Sequence, residues 1–504
     1  MAWKSALIRP FANWSARRKR VASAHARERQ EQWFTKLISK GRRTRFGTEH
    51  GFEQIRNHRD FCERVPVQDY EGIRPYIDLI KQGERDVLWP GRPRYFAKTS
   101  GTTSGVKYIP ITTASIPNHI GSARNALFNY YALTGNGRFF DGKMIFLSGS
   151  PVLEDTGGIP TGRLSGIVNH LVPGWIRSNQ MPSYDTNCIE DWETKVDRIV
   201  SETLGEDMRL ISGIPPWVQM YYERLLEASG KSTVSEIFPN YQLFVHGGVN
   251  YKPYAQQLEE LVGRDIDTLE TYPASEGFIA YQDRWPSEGL RLNVDSGIFY
   301  EFIPQEEVGA ESPRRLTLHE VETDQDYALV INSNAGLWGY NIGDLVRFVS
   351  LAPPRLIVSG RVKHFISAFG EHVIGKEVDD AMASTCNELG VQVAEFTVAP
   401  QIHPGDQGPP YHEWLVEFDT TPADLSLFAQ RVNQAMVDQN IYYRDLIEGK
   451  ILRPAHITPI RPGGFHAYLS AEGKLGGQNK VPRLMNTREV ADGLQAFRLD
   501  PSHG

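Results

Sequence analysis

Strands and helices alternate through the middle of this chain, and that alternation most constrains its fold. Short apolar runs, typical of buried strands, are separated by segments whose apolar residues recur at helical spacing. The predicted strands are Lys143–Leu147, Arg209–Ile214, Tyr241–Val245 and Ile266–Tyr272, and the predicted helices are Glu190–Leu204, Trp217–Ala228 and Tyr254–Leu261. Each strand ends at Gly, Pro or polar residues. The pattern predicts an α/β domain whose ligand lies at the strand ends.

The flanking segments complete a two-domain organisation. On the N-terminal side, Ala16–Lys40 and Ile116–Leu133 are predicted helices, and the Gly-rich segment Thr156–Val172 is predicted to be a long loop. From Gly297 the pattern favours short strands, predicted at Phe299–Ile303, Arg315–Glu322, Tyr327–Asn332, Asn341–Val349 and Arg355–Val358. Beyond Gly360 the helices and strands predict a small α+β unit. We therefore expect a large domain over residues 1–359 and a small one over 360–504.

Charge and cysteine content narrow the function. The 504 residues carry 54 Lys and Arg against 61 Asp and Glu, a net charge of −7, which argues against a bulk nucleic-acid binder. The basic run Arg17–Arg20 is explained at least as well by a solvated helix face as by a membrane or nucleic-acid role. Three widely spaced cysteines favour a reducing compartment, and no apolar stretch approaches a membrane span. We expect a cytoplasmic protein without nucleic-acid or membrane partners.

A loop rich in Gly and hydroxyl residues, Ala97–Thr112, is the strongest candidate for anion binding. Ser100, Thr102 and Thr103 surround Gly101, and Lys107 adds a positive charge. Glycines let backbone N–H groups approach a phosphate closely, and hydroxyls add donors. The spacing does not match a Walker loop, which disfavours a P-loop NTPase. A flexible loop between two strands is the alternative explanation.

Three further segments place polar residues at predicted strand ends or turns. In Tyr272-Pro-Ala-Ser275-Glu276, Glu276 is suited to hold Mg²⁺, although an exposed loop glutamate gives the same pattern. In Tyr340-Asn-Ile-Gly-Asp344, the aspartate is suited to bind ribose hydroxyls, although an Asx-turn explains it equally well. The Gly-rich tail Ser470–Arg483 carries Lys474 and Lys480, either of which is able to deliver an ammonium to developing negative charge unless the tail is a surface linker.

Together and in this order, the four segments resemble the adenylate-forming superfamily of acyl-CoA ligases. The closer resemblance is to the GH3 acyl-acid-amido synthetases, and it runs over nearly the whole chain. It rests on the Ser100–Thr103 loop with Lys107, on the motifs ending at Glu276 and Asp344, and on further segments. These are Thr44-x-Phe-Gly47, Val65-Pro-Val67, Gly213-Ile-Pro-Pro-Trp217 and Gln478-x-Lys480-x-Pro-Arg483. The sequence departs from the family at Pro273, where a small residue is more usual, and only loosely follows the superfamily over Gly360–Gly375.

The resemblance implies a fold and a reaction. The fold is a large N-terminal α/β adenylate-forming domain, with β-sheets flanked by helices and a β-barrel-like part, followed by a small mobile α+β domain. The reaction is ATP-dependent: a carboxylic acid attacks the α-phosphate to give an acyl-adenylate and pyrophosphate, and an amine, usually of an amino acid, then displaces AMP. The implied cofactors are ATP and Mg²⁺. An acyl-CoA or thioester-forming ligase, or a nucleotide-binding protein without turnover, remains an alternative.

The resemblance also implies roles for individual residues. The triphosphate would be bound by Ser100, Gly101, Thr102, Thr103 and Lys107. Mg²⁺ would bind the catalytic Glu276, beside Ser275 in the nucleotide site. Tyr272 would stack on adenine, Gly247 and Gly248 would admit the base, and Asp344 with Arg361 would hold the ribose. Lys480 is preferred over Lys474 as the catalytic lysine, and Lys363 would lie at the domain hinge. No motif identifies the acid pocket, for which Arg124 is a positional guess.

Overall fold

A computed structural model describes residues 4–102, 105–172, 174–189, 191–249, 251–252, 254–362, 365–406, 408–472 and 481–499. The chain divides into two compact units. The first comprises residues 1–99, 107–190 and 194–362, and the second comprises residues 100–106, 191–193 and 363–504. The boundary expected at residues 359/360 stays a prediction.

The helices are distributed through both units. Their bounds are α1 Lys4–Ala24, α2 Ala26–Gly41, α3 Arg45–Glu49, α4 His58–Arg64, α5 Tyr70–Lys81, α6 Ile116–Thr134, α7 Leu164–Leu171, α8 Gly174–Arg177, α9 Tyr184–Asn187, α10 Trp192–Thr203, α11 Pro215–Ser229, α12 Val234–Ile237, α13 Ala255–Val262, α14 Gly375–Leu389, α15 Leu425–Gln439, α16 Ile441–Glu448, α17 Gly464–Ala471 and α18 Glu489–Leu494. Among the described residues, no helix combines the length and the apolar content that a membrane span requires.

Within the described residues, the strands form four sheets. Their bounds are β1 Tyr95–Thr102, β2 Gly105–Ile111, β3 Lys143–Phe146, β4 Glu154–Thr156, β5 Ile159–Gly162, β6 Gln180–Met181, β7 Met208–Ser212, β8 Leu243–Gly247, β9 Asp267–Ala274, β10 Gly277–Gln282, β11 Leu290–Leu292, β12 Ile298–Pro304, β13 Asp326–Ser333, β14 Tyr340–Leu351, β15 Pro354–Arg361, β16 Phe365–Ile366, β17 Val373–Ile374, β18 Gln392–Gln401, β19 Tyr411–Thr420 and β20 Arg453–Ile460.

An eleven-stranded sheet organises the first unit, in the order β12-β13-β14-β15-β11-β10-β9-β8-β7-β3-β6. Strands β6, β3, β7, β8 and β9 are parallel, which confirms the alternation predicted from the sequence. From β9 onward every pairing is antiparallel. The part expected to be barrel-like is the antiparallel half of this sheet. A smaller sheet, β2-β1-β5-β4, carries the hydroxyl-rich segment.

The second unit packs its helices on the sheet β18-β19-β20. Strand β19 pairs antiparallel with β18 and parallel with β20, so the unit has the mixed α+β character expected from the sequence. Trp414 and Leu415 of β19 are fully buried, as are Phe428 and Val432 of α15. These apolar side chains give the unit a core of its own.

Three local predictions are wrong. Arg315–Glu322 is not a strand: Leu316 makes a single antiparallel bridge to Phe302, and a turn follows at residues 318–320 because the Glu320 carboxylate accepts hydrogen bonds from both the backbone N–H and the hydroxyl of Thr317. The predicted loop Thr156–Val172 contains β5 and α7. Their Ile159 and Ile167 side chains are buried, although glycines are frequent in this segment. The segment Ala16–Lys40 is divided between α1 and α2, with a break at His25.

Candidate active site

Glu276 lies in the tight turn between β9 and β10. Ala274 of β9 pairs with Gly277 of β10, so Ser275 and Glu276 form the connection. The carboxylate is half-buried and accepts a hydrogen bond from the Tyr340 hydroxyl, with 3.4 Å between the two oxygens. Burial, and then the charge of Glu276, raise the pKa of Tyr340 well above its ordinary value, so the phenol stays a donor. The turn therefore presents an ionisable oxygen ligand, the kind that Mg²⁺ prefers.

Asp344 lies beside this turn and is bound from two sides. It faces Arg361 across the β14–β15 register, and the guanidinium Nε is ion-paired with Oδ1 of Asp344. The Tyr272 hydroxyl of β9 donates to Oδ2. Asp344 and Tyr272 are both buried, and the pKa of Tyr272 is raised well above its ordinary value by burial and by the adjacent carboxylate. The carboxylate is thus held in one position, with charge that suits hydroxyl donors.

The spacing of the Tyr340–Asp344 motif has a local cause. Asn341 Oδ1 accepts from the backbone N–H of Gly343 at 2.8 Å, which makes an Asx-type turn. Gly343 has a positive φ of 88°, which its lack of a Cβ permits. An Asx-type turn, the alternative explanation for this motif, is therefore present, but the Asn341 side chain forms it rather than that of Asp344.

The end of β8 approaches β9 so closely that position 247 requires glycine. A Cβ on Gly247 would lie 2.2 Å from the carbonyl oxygen of Thr271, the residue before Tyr272. The preceding His246 is buried and stacks on Tyr251, with ring centroids 4.3 Å apart. Burial lowers the pKa of His246 to about 3, so its ring is neutral near pH 7. Gly247 is therefore required by the packing of β8 against β9, and the exposed Gly248 is the residue that leaves open backbone next to the Tyr272 strand.

Asn118 of α6 fixes the start of β10, immediately after the Glu276 turn. Its Oδ1 accepts from the Phe278 backbone N–H at 2.7 Å, and its Nδ2 donates to the Phe278 carbonyl at 3.3 Å and to Ser296 Oγ at 3.0 Å. On one side Phe278 pairs with Pro273, which has no N–H. On the other side Phe278 has no strand partner among the described residues, because β11 ends at Leu292, which pairs with Ala280. The Asn118 amide therefore takes the place of a missing strand partner.

The structure brings together part of the predicted site. Tyr272, Asp344 and Arg361 form one cluster, and Glu276 lies within electrostatic range of the Tyr272 hydroxyl. Lys107 is half-buried in β2. Ser100, Gly101 and Thr102 end β1, where only the backbone is described, while Thr103, Lys363, Lys474 and Lys480 lie outside the described residues. Arg124 is exposed. The roles assigned to all these residues stay predictions.

Two contributors were not recognised from the sequence. Tyr340 was part of a motif, but no local pattern indicated that its hydroxyl would reach Glu276, 64 residues away. Asn118 carries no motif, and its only signal was indirect: Pro273 removes a backbone donor from the hairpin and so requires compensation elsewhere.

Comparison with known proteins gives a consistent match over the chain. Models of the GH3 family N-terminal, central and C-terminal domains match residues 17–185, 292–361 and 376–489. An indole-3-acetic acid-amido synthetase of Arabidopsis thaliana is 22% identical, over 93% of this chain and 91% of its own. A jasmonoyl–L-amino acid synthetase of Nicotiana attenuata is 21% identical, over 94% and 93%. The solved GH3.15 acyl acid amido synthetase superposes with a TM-score of 0.59 at 17% identity, covering 94% of each chain.

Proposed function

Because this chain belongs to the GH3 family, whose three domain models together match well over half of it, we propose that it is an ATP-dependent ligase that adenylates a small carboxylic acid and joins it to an amino acid. The observation that carries the proposal is the convergence of Glu276 with the Tyr272–Asp344–Arg361 cluster in one part of a GH3 chain. Relatives named as indole-3-acetic acid and jasmonoyl amino acid synthetases support an organic acid and an amino acid as substrates.

In the first half-reaction, a carboxylate oxygen of the acid attacks the α-phosphorus of ATP. The bond from that phosphorus to pyrophosphate breaks, and an acyl-adenylate forms. Asp344 would accept hydrogen bonds from the ribose, because Arg361 and Tyr272 hold its carboxylate in a fixed position. Open backbone at Gly248 would admit adenine beside Tyr272.

The negative charge that develops on pyrophosphate as it leaves has to be compensated. Glu276 fits Mg²⁺ because its half-buried carboxylate is an oxygen ligand in a turn held by Tyr340. Bound there, Mg²⁺ would supply charge neutralisation for the triphosphate. The hydroxyl loop Ser100–Thr103 and Lys107 would add donors to the phosphates, and Lys480 would add positive charge in the adenylation transition state.

In the second half-reaction, the amine nitrogen attacks the acyl carbon. The carbon–oxygen bond to AMP breaks, an amide forms and the nitrogen loses a proton. Three free cysteines support a reducing compartment, and we place the reaction in the cytoplasm.

A pyrophosphate-release screen tests the proposal. Aromatic and aliphatic acids are each supplied with ATP and Mg²⁺, with every amino acid in turn as acceptor and with coenzyme A in a separate arm. We expect release that depends on the acid, and an amide product with one or more amino acids. A thioester with coenzyme A and no amide would favour the acyl-CoA ligase, whereas ATP-dependent thermal stabilisation without any product would favour a nucleotide-binding protein.

Matched variants test the site separately from the reaction. Glu276→Ala and Asp344→Ala are expected to abolish acid-dependent release while the protein stays folded. Asp326→Ala is the control for Asp344→Ala, because Asp326 of β13 pairs with Arg347 of β14 across the same sheet, as Asp344 pairs with Arg361. Turnover near wild type in Glu276→Ala or Asp344→Ala would contradict the site assignment.

A further inference from the structure

Helix α1 presents an exposed apolar stripe that the proposed catalysis does not use. Leu7, Phe11, Trp14 and Val21 are 62%, 66%, 62% and 50% exposed. Successive helical residues turn by about 100°, so these four side chains fall within an arc about 80° wide. Large exposed apolar patches on a folded protein mark interaction sites, whereas single scattered residues do not.

The opposite face of α1 is fixed to the first unit along its length. Ser5 N–H donates to Asp141 Oδ1 at 3.0 Å, and Ser15 Oγ donates to Asn125 Oδ1 at 2.9 Å. Lys19 Nζ donates to the Asp295 carbonyl at 2.9 Å, about four turns beyond Ser5. Since these contacts set the rotation of the helix about its axis, the apolar stripe cannot turn inward without breaking them.

The charge of α1 identifies the kind of partner. The helix contains six Lys and Arg and no acidic residue, in a chain whose net charge is −7. Arg9, Arg17, Arg18 and Arg20 are exposed, and within the described part of the chain none of them is in an ion pair. In the helical projection, Arg18 falls within the apolar stripe, and Arg17, Arg20 and Arg9 lie along the side of the stripe that is not packed on the first unit. A stripe of Leu, Phe and Trp bordered by arginines is a pattern of helices that lie in a membrane interface.

We propose that α1 docks the protein on an anionic lipid surface, with the apolar stripe among the acyl chains and the arginines at the headgroups. The anionic phosphates of the lipid complement the four exposed guanidinium groups, of which that of Arg18 also lies over the Trp14 ring. A second copy of this chain is disfavoured as the occupant, because pairing α1 with itself would bring like charges together. The proposal is independent of which acid the protein activates.

Co-sedimentation of the full-length protein with lipid vesicles tests this proposal. Vesicles of phosphatidylcholine with phosphatidylserine are compared with vesicles of phosphatidylcholine alone, at low and at high salt. We expect binding to the anionic vesicles, weakened by salt. The double variants Phe11→Ser/Trp14→Ser and Arg17→Glu/Arg18→Glu should each weaken binding by about tenfold or more.

Control variants distinguish specific lipid binding by α1 from nonspecific adsorption and from misfolding. Leu133→Ser removes a 45% exposed apolar residue of α6, and Arg59→Glu reverses an exposed charge of α4, so both should bind vesicles like the wild type. All variants should keep the wild-type unfolding temperature. Absence of binding to the anionic vesicles, or binding that the α1 variants leave unchanged, would overturn the proposal. A wild-type dimer that Phe11→Ser/Trp14→Ser converts to a monomer would also overturn it, in favour of a second copy.

Discussion

Two buried tyrosine hydroxyls hold the two carboxylates of the candidate site. Tyr272 donates to Asp344, and Tyr340 donates to Glu276. Both phenols have raised pKa values because they are buried beside negative charge, so each remains a donor throughout the physiological range. A hydrogen bond to a charged group contributes more than one between neutral groups, typically about 1.5–3 kcal/mol. Removing such a hydroxyl is therefore expected to act on nucleotide binding.

Tyr272→Phe tests this role for the Tyr272 hydroxyl. The variant keeps the ring but leaves Asp344 with one partner fewer, so the KM for ATP should rise about tenfold. Steady-state kinetics with varied ATP measure the effect. Tyr222→Phe is the matched control, because it removes an equally buried hydroxyl that lies 2.6 Å from the Tyr241 hydroxyl. If both variants changed the KM for ATP alike, the effect would be one of general stability.

A second ionic group, around Glu301, predicts how stability depends on pH. Burial lowers the pKa of His58, but hydrogen bonds to Cys62 and Glu301 and the Glu301 charge outweigh it and raise the pKa from 6.5 to about 9. Protonated His58 therefore stabilises the fold fully below pH 6.5, and this contribution is lost as the pH rises through 9. Burial alone would raise the pKa of Glu301, but Arg315 and His58 outweigh it and lower the pKa to about 2. Glu301 therefore does not titrate between pH 6.5 and pH 9.

His58→Gln measures the contribution directly. The free energy of unfolding should differ between the wild type and this variant by up to about 3 kcal/mol more near pH 6 than above pH 9, where only a pH-independent difference should remain. Denaturant unfolding at several pH values gives the curve. His170→Gln serves as the control, because His170 bonds the Pro151 carbonyl rather than a carboxylate. A difference that stays constant over the same pH range would rule out the titration of His58 as its source.

At the scale of elements, the β9–β10 hairpin is the feature on which the geometry of the site depends. Its turn carries Glu276, its first strand carries Tyr272, and its second strand begins at residues held by Asn118. Pro273 weakens the backbone pairing within the hairpin, because it offers no N–H to the opposite strand. The side chain of Asn118 is therefore expected to contribute to the position of Glu276.

Asn118→Ala should affect both stability and the response to Mg²⁺. Leaving the Phe278 backbone N–H without its partner should cost about 2 kcal/mol of unfolding free energy, while the Phe278 carbonyl still accepts from Asn293 Nδ2 at 3.4 Å. The Mg²⁺ concentration for half-maximal pyrophosphate release should also rise several-fold, and ATP binding measured calorimetrically without acid should become weaker with Mg²⁺ but not in EDTA. Asn125→Ala is the control on the same helix, where a buried asparagine accepts from Ser15 instead. Equal Mg²⁺ dependence in the two variants would exclude a positioning role for Asn118.

Short sequence patterns correctly predicted the elements whose signals lie within a few residues of one another. The parallel strands and their helices follow from apolar periodicity, and Glu276 in a turn follows from the strand that precedes it. The turn at Thr317 could not be predicted, since apolar alternation does not reveal that Glu320 captures the Thr317 N–H. The contact between Tyr340 and Glu276 depends on the order of strands in the sheet, which short patterns do not determine.

At the scale of the whole molecule, the site draws on residues that are far apart in sequence. The ends of β8, β9, β14 and β15 contribute Gly247, Tyr272, Asp344 and Arg361 to one region of the first unit. Such convergence at the end of the parallel strands is where α/β proteins bind ligands. We propose that this arrangement activates a carboxylate as an acyl-adenylate rather than as an acyl phosphate.

An isotope-transfer measurement tests that claim most directly. An acid accepted in the pyrophosphate screen, with its carboxylate labelled with heavy oxygen, is incubated with the protein, ATP, Mg²⁺ and the amino acid. The masses of the products are then measured by mass spectrometry. If the carboxylate attacks the α-phosphorus, AMP gains one labelled oxygen and the amide retains the other. Label in inorganic phosphate, with ADP as the nucleotide product, would contradict adenylation.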